Sequence, residues 1–292
     1  MSLVGDLIIG GLSIGACYAL VALAMVIIYK TSEVPNFAQG EMAMISTFVA
    51  YTMMESYGLG FWTSGALTLL FALGLGAVLE ISFLRPAKNP TILSLIVITL
   101  GAEMILYGLA GWRWGAMQLP FAVPFSEYSG ISPGGVMITE MNMWTFAVSI
   151  VLMAFLFLFF RFTTLGTAMK AVQQNPFAAK AMGIPTRRIL TFTWALSSVT
   201  GAVAGMLIAP VSTLDPNMML DPMLKGFAAA VLGGMTSLPG AAIGGYLLGL
   251  IENFFGGYVS LEFKSVVAFG VIVVILCVRP SGLFVRHYVK KV

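Results

Sequence analysis

The feature that most constrains this chain is a series of long apolar stretches that few charged residues interrupt. A helix needs roughly 20 apolar residues to cross the hydrocarbon core of a bilayer. Six stretches are that long, near residues 3–28, 61–84, 91–110, 144–162, 189–209 and 262–278. Three others are less regular, at residues 36–54, 220–235 and 239–255. We therefore predict an all-α, polytopic transmembrane helix bundle of about eight to nine spans, some of them broken or re-entrant.

Composition supports this class. The chain is 59% hydrophobic and 9% charged, whereas soluble domains carry about 25% charged residues. No basic stripe is interleaved with aromatic residues, which argues against a nucleic-acid partner. Cys17 and Cys277 both lie in apolar stretches and have neither a metal-type spacing nor a disulfide framework, so we interpret them as apolar packing residues. We expect one transmembrane domain over residues 1–292.

The distribution of charge predicts an orientation, because Lys and Arg collect on the cytoplasmic side of a membrane. If the chain starts outside and crosses alternately, 12 of its 15 Lys and Arg residues fall on inner connections. We therefore predict an outside N-terminus, a cytoplasmic C-terminus and a cytoplasmic loop at residues 163–188. The outer loop at residues 111–142 has the Trp, Tyr and Pro content of a folded cap at the interface, with a simple loop as the alternative. The outer connections hold six acids and three basic residues: Glu55, Glu127, Glu140, Asp215, Asp221 and Glu262, with Arg113, Lys225 and Lys264.

The cytoplasmic segment "AMKAVQQNPFAAKAMGIPTRR" contains signals for a short helix. Asn175 followed by Pro176 is typical of a helix start, and Gly183 is typical of a helix end. The helix between them would expose Ala178, Ala179 and Met182 beside Phe177. Helices this short are poorly stable alone. They would dock against the chain's own spans or in a partner's groove, or lie on the membrane surface.

Four stretches carry a resemblance to a known family. "LGTAMKAVQQNPFAAKAMGIPTRRI" resembles the cytoplasmic coupling loop of permease subunits in the branched-chain amino acid ABC transporter family. "GLSIGACYALVALAMVIIYKTSEVPNFAQGEMAM", "RPAKNPTILSLIVITLGAEMIL" and "AAAVLGGMTSLPGAAIGGYLLGLIEN" resemble other parts of the same permeases. The resemblance covers nearly the whole chain in the family's order, and it is to the shorter of the two permease types.

The resemblance implies a permease subunit of an ATP-driven importer in a bacterial-type inner membrane. It implies that the 167–184 loop couples the translocation path to an ATPase. The chain has no phosphate-binding G-x-x-x-x-G-K-[ST] motif, so ATP would bind separate subunits and this chain would hold no cofactor. The coupling residues carried over from the family are Asn175, Pro176, Ala178, Ala179, Met182 and Gly183, with Lys170 and Lys180 at the rim.

The resemblance also implies partners and a solute. The partners would be two ATPase subunits, a second permease that is a different and longer chain, an extracytoplasmic substrate-binding protein and the lipid bilayer. The solute would be a branched-chain or related small amino acid. Urea, short amides and small carboxylated compounds are the alternatives, because resembling permeases take them.

Polar residues within the apolar stretches are candidates for the translocation path, since ionisable groups at membrane depth are costly. Glu103 lies near the middle of residues 91–110 and would be either a hydrogen-bonded structural acid or a substrate contact. The stretch "VPNFAQGEM" would form a broken, partly re-entrant helix entry or a simple helix cap, and Gln39 stands where many family members have His. We assign to the path Asn36, Phe37, Gln39, Glu41 and Glu103.

The other polar and small residues have simpler interpretations. Glu80 and Glu252 lie nearer the ends of their stretches, so we expect them at solvated helix ends. The glycines around "GGYLLG" favour close helix packing.

Two other function classes fit the sequence less well. A self-contained secondary transporter or channel would need ion-coupling carboxylates at membrane depth, and such charges are sparse here. An intramembrane enzyme would need a catalytic group in the membrane, but His287, the only histidine, lies in the tail. We expect no catalytic residue and no metal site, and so a transport subunit rather than an enzyme.

Overall fold

The computed structural model describes residues 2–87, 91–126, 129–132, 135–279 and 282–284. The predictions that concern Lys88, Glu127, Arg286, His287, Lys290 and Lys291 lie outside these residues. Within them are eleven α-helices: α1 Ser2–Ser32, α2 Gln39–Glu55, α3 Phe61–Leu79, α4 Ile92–Trp114, α5 Glu140–Phe162, α6 Thr164–Gln174, α7 Pro176–Ala181, α8 Thr186–Ser212, α9 Leu220–Gly233, α10 Leu238–Tyr258 and α11 Lys264–Val278.

The fold is nearly all-α, as predicted. A π-helical segment, Glu80–Leu84, continues α3. In the 111–142 loop, β1 Gly130–Ile131 pairs antiparallel with β2 Ile138–Thr139. The loop folds onto the helix ends: Phe125 stacks on Trp144 with ring centroids 4.6 Å apart. Leu119 also exchanges backbone hydrogen bonds with Leu214. These contacts favour the folded cap over the simple loop.

Six helices in the described residues are long and apolar enough to cross a membrane. The stretch at 239–255, expected to be irregular, forms one of them as α10, whereas the stretch at 262–278 forms only the 15-residue α11. Expecting a long span there was wrong, because residues 261–263 form a bend and a turn before α11 begins. The count of eight to nine crossings stays a prediction, since α2, α9 and α11 are shorter than a full span.

The first helix forms the centre of the bundle. From residue 16 to residue 28 every side chain of α1 is buried. Small residues allow α10 to lie directly against it: a Cβ at Gly249 would collide with Gly15, and one at Gly245 would collide with the backbone of Ala19. These glycines therefore serve close helix packing.

Contacts between distant segments show which helix ends lie together. Lys30 donates to the Thr236 carbonyl (3.1 Å), and Leu283 N–H donates to the Leu232 carbonyl (2.9 Å). We call this end, which also carries Arg161 and Lys170, the basic end. At the opposite end, Met137 N–H donates to Asp6 (3.1 Å). The grouping is the one that alternate crossing requires, and the compartment at each end stays a prediction.

Candidate functional site

Two helices joined at Asn175 project from the basic end; we call residues 164–183 the basic-end arm. Asn175 Oδ1 accepts hydrogen bonds from the N–H groups of Phe177 and Ala178, both at 3.0 Å, and Pro176 occupies the first turn of α7. Gly183 has φ +83°, which favours glycine, and Ile184 N–H donates to the Ala179 carbonyl (3.0 Å). The predicted start and stop of this helix are confirmed.

The arm presents two large apolar side chains to its surroundings. Phe177 is 86% exposed and Met182 is 83% exposed, with Ala178 and Lys180 exposed beside them. The expectation that Ala179 is exposed was wrong: it is 4% exposed and belongs to the apolar core. Ala179 lies two positions from Phe177, and at 100° per residue this turns it to the inner face of α7. Lys170, Asn175 and Gly183 are exposed.

The arm is fixed to the bundle by close packing. Met169 and Val172 of α6 are buried, and a Cβ at Gly166 would lie 2.6 Å from the Phe159 carbonyl oxygen. Thr163 caps α6 by accepting from Gly166 N–H (3.0 Å). Because α6 starts immediately after α5 and α8 starts soon after α7, a displacement of the arm would be transmitted to two long helices.

Beyond the arm, a hydrogen bond from the start of α8 reaches an ion pair at the end of α3. Thr191 Oγ1 donates to Glu80 Oε2 (2.6 Å), and Arg85 lies 3.0 Å from the same oxygen. The expectation that Glu80 is a solvated helix-end residue was wrong, since it is 3% exposed and paired.

The stretch between α1 and α2 turns back into the bundle. Asn36 and Gln39 are fully buried, and Phe37 is half-buried. Asn36 Oδ1 accepts from Ala38 N–H (3.1 Å), and Gln39 Nε2 donates to the Ser197 carbonyl (3.3 Å). These side chains hold the bent entry into α2 against α8. Their hydrogen bonds satisfy polar groups of the chain itself.

Glu41 and Glu103 lie apart from that buried network. Both are half-buried and line one cavity of about 300 Å³ with Asn217. We call it the acidic cavity; its other lining residues are Met104, Tyr107, Pro216 and Leu220. Sequence reasoning missed Asn217, because "LDPNMML" has the composition of an outer loop.

The acidic cavity lies near half the height of the bundle. Glu103 is eleven residues from each end of α4 (Ile92–Trp114), which is about 16 Å at 1.5 Å per residue. Helix α2 runs beside α4, since the indole N–H of Trp114 donates to Thr52 Oγ1 (2.8 Å). Trp114 comes eleven residues after Glu103, and Thr52 comes eleven residues after Glu41, so the two acids lie at a similar height. The first turn of α2 and Leu220, where α9 begins, therefore lie at this depth. This depth accounts for the short lengths of both helices.

A second polar cluster lies deeper in the bundle. Lys225 of α9 is 4% exposed and contacts Glu252 (2.5 Å) and Asp221 (2.6 Å), and its ammonium lies 5.5 Å from the ring of Tyr18. Assigning Lys225 to an outer connection and Glu252 to a solvated helix end was wrong, because both are buried, whereas Asp221 is exposed in the first turn of α9. Long-range pairing allows these charges to sit inside apolar helices.

Comparison with known proteins gives a consistent result. Residues 7–276 match the family described as the branched-chain amino acid transport system / permease component. The high-affinity branched-chain amino acid transport system permease protein LivH of Salmonella typhimurium is 30% identical, covering 97% of this chain and 96% of LivH. The corresponding protein BraD of Pseudomonas aeruginosa is 29% identical over 98% of this chain and 97% of BraD.

Comparison with solved structures gives a weaker match. PsaBC from Streptococcus pneumoniae, solved in complex with Fab, matches at 15% identity with a TM-score of 0.45, covering 96% of this chain and 91% of that one. A score this low transfers no geometry.

Proposed function

Because this chain belongs to the branched-chain amino acid transport permease family, we propose that it is the permease subunit of an ATP-driven importer of branched-chain or related small amino acids. The match over residues 7–276 carries this proposal. The relatives LivH and BraD are named as permeases of such transport systems. Membership also makes the chain a multi-pass membrane transport subunit rather than an enzyme.

The basic-end arm is the proposed contact with two separate ATPase subunits. Its support is the exposure of Phe177 and Met182, which no residue in the described part of the chain covers. An apolar side chain presented on a short helix suits insertion into a groove of a partner protein. Lys170 and Lys180 would contact the rim of that groove. Ala179 keeps a positioning role, because it packs α7 onto the bundle.

Closure of the ATPase subunits would then move the arm as a unit. The close contact of Gly166 with α5 and the short link from α7 to α8 favour transmission to both helices. The Glu80–Arg85–Thr191 contacts extend it to α3. Through these contacts, nucleotide turnover in the ATPase subunits would rearrange the bundle.

The acidic cavity is the proposed part of the translocation path in this chain. Glu41, Glu103 and Asn217 face a cavity open at the side of the bundle, where Met104 is 75% exposed. Polar side chains and irregular backbone at membrane depth must be covered by protein or line a water-filled space. A second permease subunit, of a different and longer type, would cover this side. The carboxylates suit the ammonium group of an amino acid.

The two ends of the bundle would face different compartments. The basic end would face the cytoplasm, in line with the preference of Lys and Arg for that side. The opposite end, with its folded loop, would receive the solute from an extracytoplasmic binding protein.

The proposal is tested with Phe177→Asp in the assembled transporter, measuring uptake and ATP hydrolysis together. Gln174→Asp is the matched control, since it adds the same charge to an exposed position on the same arm. We expect Phe177→Asp to lower uptake at least about tenfold, by removing roughly 1.4 kcal/mol or more of the contact, while the control stays near wild type. Unchanged uptake in a correctly inserted Phe177→Asp protein would refute the docking role.

A self-contained secondary transporter or channel is the remaining alternative, which the family does not favour. Proteoliposomes containing only this chain discriminate the two. Solute uptake in the absence of any ATPase subunit would support the alternative, and uptake that appears only when ATPase subunits and ATP are added would support the importer.

A further inference from the structure

A pocket at the basic end brings three cationic side chains together. Lys30 of α1, Arg161 of α5 and Lys170 of α6 line a cavity of about 490 Å³. Its remaining walls are mainly aromatic and apolar, with Thr236 and Ser237 as the polar exceptions; they are Phe157, Phe160, Leu238, Pro239 and Phe284. The cavity therefore combines positive charge with apolar walls.

The three cations lack acidic partners in the described part of the chain. Every salt bridge found there involves Arg85 or Lys225 instead. Lys30 donates to the Thr236 carbonyl and lies 5.8 Å from the centre of the Phe160 ring. Arg161 lies 5.9 Å from the centre of the Phe157 ring. Aromatic faces hold these side chains in place but do not neutralise them, so an anion in the cavity would relieve their mutual repulsion.

The pocket continues into an apolar groove on the side of the bundle. The groove has a volume of about 430 Å³ and shares Phe157, Leu238 and Pro239 with the basic pocket. It runs along α5 and α10, past Ile150 (59% exposed) and Ile243 (42% exposed), as far as Tyr246. A cationic pocket that opens into a long apolar groove matches a ligand with an anionic head and an apolar tail.

We propose that this site binds an anionic phospholipid, with the phosphate between Lys30, Arg161 and Lys170 and one acyl chain in the groove. Basic pockets between transmembrane helices are suited to such headgroups. The site is independent of the transported solute, and it shares Lys170 with the proposed ATPase contact. Since Lys170 lies on α6 and Arg161 on α5, the lipid would connect the basic-end arm to the end of a long helix.

The headgroup is tested by native mass spectrometry of the purified chain with phosphatidylglycerol or phosphatidylethanolamine. The variant is Arg161→Gln/Lys170→Gln, in which both side chains are exposed. The control is Arg187→Gln/Arg188→Gln, which removes two exposed cations outside the pocket. We expect phosphatidylglycerol retention to fall roughly tenfold or more in the variant, because two of the three cations are removed. The control should retain it, and phosphatidylethanolamine should bind weakly throughout. Equal retention of phosphatidylglycerol by variant and control would overturn the proposal.

The tail is tested separately with Ala154→Trp, which fills the groove and leaves the cations in place. Val151→Trp is its control, on an exposed part of α5 that does not line the groove. We expect only Ala154→Trp to lose phosphatidylglycerol. Inorganic phosphate at millimolar concentration should not displace the lipid. Full displacement by phosphate would show that a soluble anion is the ligand, and retention unaffected by Ala154→Trp would show that no acyl chain lies in the groove; either result would overturn the proposal.

Discussion

Two groups of charged residues inside the bundle have opposite surroundings. Lys225 and Glu252 are almost completely buried and paired with each other. Glu41 and Glu103 are half-buried, line an open cavity and form no salt bridge among the described residues. Charges at membrane depth are structural when the chain itself neutralises them. They are candidates for function when they remain accessible and unpaired.

The largest effect on the stability of the folded protein is expected from Lys225→Met. This change leaves Glu252 buried without its cation, and breaking a buried pair costs about 3–5 kcal/mol. We expect loss of folded protein, measured by thermal unfolding in detergent and by yield. Lys225→Met/Glu252→Leu should recover much of the stability, because both charges leave together. If the single variant unfolds like wild type, the cluster is not structural.

A smaller loss of stability is expected from Gln39→Leu, in the buried and uncharged hydrogen-bond network of Gln39, Asn36 and Ser197. The substitution removes the hydrogen bonds that Gln39 makes with the Ser197 carbonyl, the Ser197 hydroxyl and Asn36, and loss of a partner for buried polar groups costs about 1–3 kcal/mol. We expect a lower unfolding temperature with uptake reduced only in proportion to the folded protein. A stable Gln39→Leu variant with abolished uptake would instead place Gln39 in the path.

The smallest effect on stability is expected from Glu103→Gln and Glu41→Gln. Both side chains are partly accessible, so the folded state should change by less than about 0.5 kcal/mol. Uptake should fall roughly tenfold, equivalent to about 1.4 kcal/mol. Glu55→Gln, at an exposed position at the end of α2, is the control. Normal uptake in both variants would assign the two acids to structure.

Local signals in the sequence predicted the arm well. Asn175, Pro176 and Gly183 act within one or two helical turns, so their effect does not depend on the rest of the fold. The inward position of Ala179 and the exposure of Phe177 follow from how α7 packs on the bundle, which the local sequence does not contain. The exposed Phe177 could still have been suspected, as an aromatic residue within a polar segment.

The polar interior was harder to predict. The contact of Lys225 with Glu252 joins α9 to α10 across 27 positions, and the charge rule placed Lys225 outside. The acidic cavity depends on two helices, α2 and α9, that begin at half the height of the bundle. The length of an apolar stretch does not report the depth at which its helix starts.

The central claim is that the basic-end arm contacts an ATPase subunit, and a cross-link from the arm tests it most directly. Met182→Cys is introduced with Cys277→Ala, which removes the exposed native thiol, while Cys17 is buried. In the assembled transporter we predict a cross-link from Cys at position 182 to an ATPase subunit, with a yield that changes as nucleotide turns over. Labelling of that position only by an impermeant reagent added outside the cell, without any cross-link to the ATPase, would contradict the account.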